Sequence, residues 1–289
     1  MEWDLRGRVR SVVKAVLPES VFIAIATLRR YKGEFGVFPN LIQPKTFNEK
    51  VLCRILFDRR PIWTRLQDKY SVREYVKERI GEEILATLYW VTKNPSDIPF
   101  EDLPDKFVVK PTHGSGWFYL VPDKACMNRR DLIDACRSWL IRNYYYVQRE
   151  WVYKHIEPRI LIEQFIDDGT GLYPVRYRLH VFEGRVHVIE VCIGKPGESR
   201  CDFYGRSWNK LPAAYSTCRN IDGPVPRPKH LDEMIRSAEV LGEGLDFVRV
   251  DLYDAADKVY FGEMTTTPGG GSLRFTPDGF DRYLGGFWK

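Results

Sequence analysis

The chain has 289 residues and a mass of 33.9 kDa, with 44% hydrophobic and 29% charged residues, the profile of a soluble globular protein with one large core or two modest domains. Forty-four basic residues against 39 acidic ones leave +5, an excess that suits phosphates or an anionic lipid surface and is too small to argue for nucleic acid. The six cysteines (Cys53, Cys126, Cys136, Cys192, Cys201 and Cys218) form no CxxC pair and no dense framework, which points to reduced thiols in a cytoplasmic protein.

Pro18 divides the first ~35 residues into two predicted helical pieces. The run "VFIAIATL" (Val21–Leu28) is far shorter than the roughly 20 residues a bilayer span needs. Arg6, Arg8, Arg10 and Lys14 precede it, and Arg29, Arg30 and Lys32 follow. Such a segment either lies on the inner-membrane surface or packs on the domain as an ordinary helix. "NLIQPKTFNEK" (Asn40–Lys50) is a turn entering a helix, with Thr46 and Glu49 at capping-box spacing. A second helix is expected over Trp63–Gly81, and a short strand over Leu85–Val91.

Beyond the proline-bearing linker Thr92–Asp105 the pattern changes to hairpins. "KFVVKP" is a strand ending on Lys110, "THGSGW" a glycine-bearing turn, and "FYLVP" a returning strand. A helix is expected over about Arg129–Tyr146 and a strand over Arg159–Ile166. Two strands joined at Glu183-Gly184 fill Val175–Gly194, and a helix around Lys229–Leu241 leads to a last hairpin. Hairpins without regular βαβ alternation make the fold class α+β.

That last hairpin, "FVRVDLYDAADKVYFGEMTTTPGGG" (Phe247–Gly271), sets one acid in each arm. Alternation places Val248, Val250, Leu252, Tyr260 and Met264 on an apolar face, and Arg249, Asp251, Glu263 and Thr265 on the other. With Tyr253 paired to Val259, Arg249 would stand across from Glu263 and Asp251 would be a diagonal neighbour. Two acids on one face suit a Mg²⁺ ion; an Arg249–Glu263 cross-strand ion pair accounts for them equally well.

Lys110 ends an apolar strand, and His113-Gly114-Ser115-Gly116 follows with backbone that can approach phosphate oxygens. Neither G-x-x-x-x-G-K-[ST] nor G-x-G-x-x-G after a strand occurs, so these are not the common nucleotide loops. Lys69, after Asp68, and Glu163, closing "ILIEQF", read individually as a surface lysine and a strand-end acid. The aromatic, basic stretch "RNYYYVQREWVYKHIEPR" (Arg142–Arg159) allows nucleic-acid stacking, but reads more simply as a helix packed through Tyr145, Trp151 and Tyr153. His155 could touch substrate, His180 and His187 read as an ordinary sheet face, and no Cys/His spacing suggests zinc.

In order, these elements resemble the ATP-grasp superfamily: two lysines, a small-residue loop, a strand ending in Glu, then R-x-D and E-x-T-x-x-PG. "PKTFNEK", "QDKYSVREYV", "LPDKFVVKPTHGSG", "EPRILIEQF", "FVRVDLY" and "YFGEMTTTPGGG" are similar to its TupA-like branch, associated with teichuronopeptide and cell-surface polysaccharide biosynthesis, over roughly Pro44 to Gly286. The resemblance implies an ATP-grasp fold, two α+β subdomains clamping ATP, preceded by a mostly helical N-terminal region at 1–91. The ATP-grasp domain would fill 92–289, with a small lid at about 106–165 and a metal-binding subdomain at 166–289. It implies Lys69 and Lys110 on the ATP phosphates, the loop His113, Gly114, Ser115 and Gly116 closing over them, and Glu163 with Gln164 and Phe165 reading adenine. Arg249, Arg178 and Lys110 would assist catalysis, and Asp251, Glu263 and Thr265 would hold Mg²⁺. Arg178 and Arg176 replace the lysine and aspartate of a "DYK" triplet, Thr265 replaces the usual asparagine, and Asp167 and Asp168 are candidates for the ribose.

The activity so implied is ATP-dependent joining of a carboxylate to an amine through an acyl phosphate. The partners would be a sugar acid and an amino acid or other amine, with no nucleic acid. A kinase on the same fold and a non-catalytic nucleotide- or membrane-surface-binding protein are the other readings. Contact with the inner membrane or with polysaccharide-synthesis enzymes falls to the N-terminal region.

Overall fold

A computed structural model of the chain describes residues 18–289; the helical piece expected before Pro18, with Arg6 to Lys14, lies outside the described residues. Helix α1 (Glu19–Phe35) buries Ile23, Thr27 and Tyr31, a stripe with a four-residue period, and so packs on the domain. Helix α2 (Phe47–Phe57) starts at the expected capping box, where Thr46 Oγ1 accepts from Glu49 N at 3.2 Å and Glu49 Oε2 accepts from Thr46 N at 3.1 Å.

The single helix expected over residues 63–81 is two, α3 (Pro61–Gln67) and α4 (Ser71–Ile80). Asp68 breaks it by accepting from Tyr70 N at 2.9 Å and Ser71 Oγ at 2.7 Å, local bonds that compete with the helical ladder. Lys69 is thereby placed in a turn, its N–H donating to Thr112 O at 3.2 Å. The helix expected over 129–146 also divides, into α5 (Arg129–Leu140) and α6 (Tyr144–Gln148), because the Asn143 side chain caps a new start at Tyr145 N, 2.9 Å away.

Strands β1 (Leu88–Thr92), β2 (Phe107–Pro111), β3 (Tyr119–Val121) and β4 (Ile160–Gln164) form an antiparallel sheet in the order β1-β4-β2-β3. Its inner face and α5 share a separate core around Phe107, Val109, Leu132, Trp139, Ile160 and Ile162. Strand β1 belongs to this sheet although its residues straddle the boundary expected at 91.

The larger sheet contains β5 (Arg176–Phe182), β6 (Arg185–Ile193), β7 (Arg200–Gly205), β9 (Phe247–Ala255) and β10 (Lys258–Thr265), in the order β10-β9-β5-β6-β7. The two-residue strands β8 (Ala214–Tyr215) and β11 (Phe275–Thr276) pair separately. Helix α7 (Leu231–Gly242) covers one face through Met234, Ala238 and Leu241, against Val248, Val250 and Leu252. On the opposite face Phe182, Val188 and Phe247 meet Phe47 and Leu52 of α2 and Leu284 of α8 (Gly279–Phe287). The two faces follow from strand alternation.

The reduced-thiol expectation fails for one pair. Cys192 and Cys201 stand directly opposite in the β6–β7 register with Cα atoms 4.4 Å apart, and are joined as a disulfide. Cys53, Cys126, Cys136 and Cys218 are free.

The β9–β10 register also differs from expectation. Tyr253 faces Tyr260 and Leu252 faces Phe261, then a bulge at Gly262 shifts the pairing so that Asp251 faces Glu263 and Arg249 faces Thr265. A Cβ at Gly262 would lie 2.8 Å from Tyr253 Cε2 and 3.0 Å from Asp251 O, so only glycine fits the approach. Phe261, not Tyr260, therefore joins Val248, Val250, Leu252 and Met264 in the core.

Candidate active site

Between the two sheets lies a cavity of about 480 Å³, a size that suits a nucleotide or similar ligand. Five basic and four acidic side chains line it. The bulge supplies its floor: Asp251 and Glu263 are brought directly opposite, and Arg249 lies between them. Arg249 Nε and Nη2 hold the two Asp251 oxygens at 2.6 and 2.7 Å. The same Nη2 reaches Glu263 Oε1 at 3.3 Å and Thr265 Oγ1 at 3.1 Å. The ion-pair reading of this face is thus partly realised, since the arginine does bridge the acids, but it holds Asp251 as well as Glu263, and Asp251 is buried at 4% exposure.

Behind Asp251 the charges continue inward. Arg178 Nε lies 3.5 Å from Asp251 Oδ2, and Arg178 Nη1 donates to Glu190 Oε1 at 2.8 Å. Glu190 is fully buried and its Oε2 accepts from Tyr215 OH at 2.9 Å. Burial pushes the Asp251 carboxyl up against the pull of Arg249 and Arg178. For Glu263 burial acts the same way, but Lys69, Arg249 and Arg178 together hold it below the usual range.

The two lysines reach the cavity from separate elements. Lys69 donates to Gly114 O and its Nζ is 4.0 Å from Glu263 Oε2. Burial pulls its ammonium down, against the attraction of Glu263. Lys110 is ion-paired to Glu163 Oε1 on the adjacent strand; burial would lower it, and the Glu163 carboxylate more than restores it, upward. Glu163 also has Arg73 Nη1 at 3.8 Å, so its side chain positions cations while Gln164 and Phe165 continue along the cavity wall.

Of the glycine turn, Ser115 and Gly116 line the cavity. His113 is set back from it, 2% exposed, with Nε2 3.0 Å from Trp139 O and 3.1 Å from Arg142 O, and burial lowers its pKa. His113 therefore anchors the turn to the end of α5. Arg176 joins Arg178 on the cavity wall, and its Nη2 donates to Gly194 O at 3.2 Å. Asp167 and Asp168 do not line the cavity: Asp168 accepts from Thr170 N at 2.9 Å and Val175 N at 2.7 Å, holding the loop before β5. His155 is exposed and packs edge-on to Trp151, away from the cavity wall.

Several contributors escape sequence reading. Arg54, buried in α2 between the rings of Trp63 and Trp288, donates to Thr266 O at 2.8 Å and Phe247 O at 2.9 Å. Gln67 Oε1 lies 3.2 Å from Thr266 Oγ1. These bonds hold the segment after β10, whose next turn bends through Gly269, Gly270 and Gly271 at φ of 58°, 58° and 69°. Glu190 and Glu150 were equally hidden, because an acid's burial depends on which elements cover it. The aromatic residues around Glu150 were the one available signal.

The donor set suits a hard divalent cation. Asp251, Glu263 and Thr265 offer only oxygen, the ligands Mg²⁺ takes. Each Asp251 oxygen gives one lone pair to Arg249 and keeps another, and among the described residues Glu263 Oε2 accepts no hydrogen bond. A slot of Val108, Leu120, Phe165, Ile166 and Phe261 in the same cavity suits a flat apolar ring.

Two sheets enclosing paired lysines on one side and opposed carboxylates on the other define an ATP-grasp fold. The chain belongs to the TupA-like ATP-grasp family, whose model matches residues 49–289. No curated protein matches it. Among solved structures, D-alanine–D-alanine ligase from Bacillus anthracis complexed with ATP is 17% identical, with 71% of this chain and 56% of that chain covered and a TM-score of 0.40. The corresponding ligase from Helicobacter pylori is 18% identical (78% and 61% covered, TM-score 0.41). N5-carboxyaminoimidazole ribonucleotide synthetase from Thermus thermophilus is 11% identical (69% and 45%, TM-score 0.41). The chain spans little more than half the length of the first of these.

Proposed function

We propose that this protein is an ATP-dependent carboxylate–amine ligase, joining an amino acid or other amine to a sugar acid through an acyl phosphate, in cell-surface polysaccharide biosynthesis. The observation that carries the reading is the direct opposition of Asp251 and Glu263 across the Gly262 bulge, in one cavity with Lys69 and Lys110. Family membership supports the same chemistry. ATP with Mg²⁺, when bound, supplies the phosphoryl group that activates the carboxylate.

The residues' own work is positioning and charge compensation, which is most of what phosphoryl transfer needs. Asp251, Glu263 and the Thr265 hydroxyl would hold the metal, and Arg249 fixes the orientation of all three. Lys69 and Lys110 would bind the phosphates, with Glu163 aiming Lys110. Arg178, braced by Glu190 beside Asp251, would offset charge on a bound phosphoryl group. Ser115 and Gly116, on the cavity wall, would cover the phosphates, and Gln164 and Phe165 border the ring slot. The lid at 106–165 and the metal-binding part at 166–289 are the units between which the ligand sits.

No helix among the described residues is long and apolar enough to cross a membrane. A cytoplasmic place beside the inner membrane or its polysaccharide enzymes belongs to this proposal. The test is ADP release across a matrix of uronic and other sugar acids against amino acids. ADP that forms only when acid and amine are both present, with an amide product, supports the ligase. A stable phosphorylated product without amide would make the protein a kinase, and no turnover with any pair would sink both.

A further inference from the structure

Glu150 has no part in the nucleotide end of the cavity, yet it lines the same wall and is only 7% exposed. One of its oxygens, Oε2, accepts from the Thr267 hydroxyl; among the described residues nothing donates to Oε1. A buried carboxylate normally has a cation bound to it. The nearest here is Arg30, whose guanidinium is engaged elsewhere, by Gly270 O at 2.6 Å and Gln148 Oε1 at 3.4 Å, and forms no ion pair with Glu150 within 4.0 Å.

Aromatic rings complete the surroundings. Tyr144 and Tyr153 line the cavity beside Glu150, with centroids 4.5 Å apart, and Trp117 lies edge-on to Tyr144 at 5.4 Å. Ring faces attract cations and, unlike lysine or arginine, bring no charge of their own. Burial, against the weaker pull of Thr267 and Arg30, pushes the Glu150 carboxyl up to about 7, so an arriving cation would find it ready to ionise. This end is also close to the metal-binding face. Thr267, bonded to Glu150, follows Thr265 by two residues, at most about 7 Å of chain.

We propose that Glu150, walled by Tyr144 and Tyr153, is the subsite that receives the ammonium group of the amine substrate. The assignment of this cation as a substrate rests on the ligase reading, whereas the binding site itself does not. A neutral acceptor would leave the Glu150 carboxyl protonated and add no charge pairing, and an acidic one would oppose its ionisation. An ammonium satisfies the free oxygen beside two rings that bring no competing positive charge.

The experiment is saturation-transfer NMR of the full chain with ethanolamine as probe and ethylene glycol as its uncharged counterpart, at pH 8, with ADP binding measured beside it. Ethanolamine should bind in the millimolar range and ethylene glycol should not. Glu150→Gln, which keeps the shape of the protonated acid, should weaken ethanolamine at least about tenfold, or roughly 1.4 kcal/mol. Should that variant fail to fold, Tyr144→Leu should weaken the same probe severalfold. Equal binding to wild type and variant, or none to wild type at 10 mM (about ten times the expected range), would overturn the proposal. Glu150-dependent ethanolamine binding in a protein that releases no ADP with any acid and amine would instead overturn the ligase reading alone.

Discussion

Gly262→Ala probes how the fold builds the facing pair Asp251 and Glu263, proposed above to hold the metal. The added methyl would meet Tyr253 Cε2 at 2.8 Å and Asp251 O at 3.0 Å, both inside ordinary van der Waals contact. The half-buried Tyr253 ring borders the cavity and has room to shift, but Asp251 sits in the strand pair β9–β5, so its carbonyl cannot retreat without disturbing that ladder. Overpacking of this kind costs about 1–3 kcal/mol, which exceeds the roughly 0.4–1 kcal/mol that alanine gains by stiffening the unfolded chain. The net change is destabilising, with a fall in Tm of about 2–4 °C per kcal/mol. If the bulge is pushed out of register, Asp251 and Glu263 no longer face one another, and losing one of two carboxylate contacts lowers magnesium-dependent nucleotide affinity by about tenfold or more. Calorimetry and titration with a fluorescent ATP analogue, with and without Mg²⁺, measure the two effects. A variant with wild-type Tm and wild-type magnesium-dependent affinity would refute the link between bulge and site.

Asp251→Asn leaves Arg249 and Arg178 facing an amide; breaking a buried pair should cost about 3–5 kcal/mol in urea denaturation and abolish magnesium-dependent ATP binding. Glu263→Gln, on a half-buried side chain, should lose the same binding at a smaller cost in stability. Glu150 predicts an unusual pH dependence. Its folded pKa of about 7 lies above the unfolded 4.5, so the folded state holds more protons between these values and stability falls as pH rises through them. At about 1.36 kcal/mol per unit the loss approaches 3 kcal/mol, and Glu150→Gln should remove it when urea denaturation is compared at pH 4.5 and pH 7.5, within about a unit of the two pKa values. The groups facing Glu150 are Arg30, Tyr144, Tyr153 and Thr267, of which none titrates in that window. Arg54→Met should keep the fold but free Thr266 O and Phe247 O, with loss of several kcal/mol by urea denaturation and faster amide hydrogen exchange in residues 265–271.

Much of this protein is legible in its sequence because the relevant signals are local. Alternation along β9 separates core from site face, and the Thr46–Glu49 spacing marks the start of α2. The family motifs named Lys69, Lys110, Glu163, Asp251 and Glu263, and all five line one cavity. Tertiary structure decided the rest, for reasons that short-range patterns do not carry. A single bulge at Gly262 turned a diagonal pair of acids into a facing one, and it depends on how closely Tyr253 and the Asp251 backbone approach. The break at Asp68 depends on a side chain choosing local bonds over the helical ladder, and it turns a helical lysine into Lys69 of the site. Burial of Glu150 and Glu190 is set by neighbours distant in the chain. Residue identity and spacing determined which groups were available, and close packing determined which of them face each other, because contact and desolvation act through space and not along the sequence.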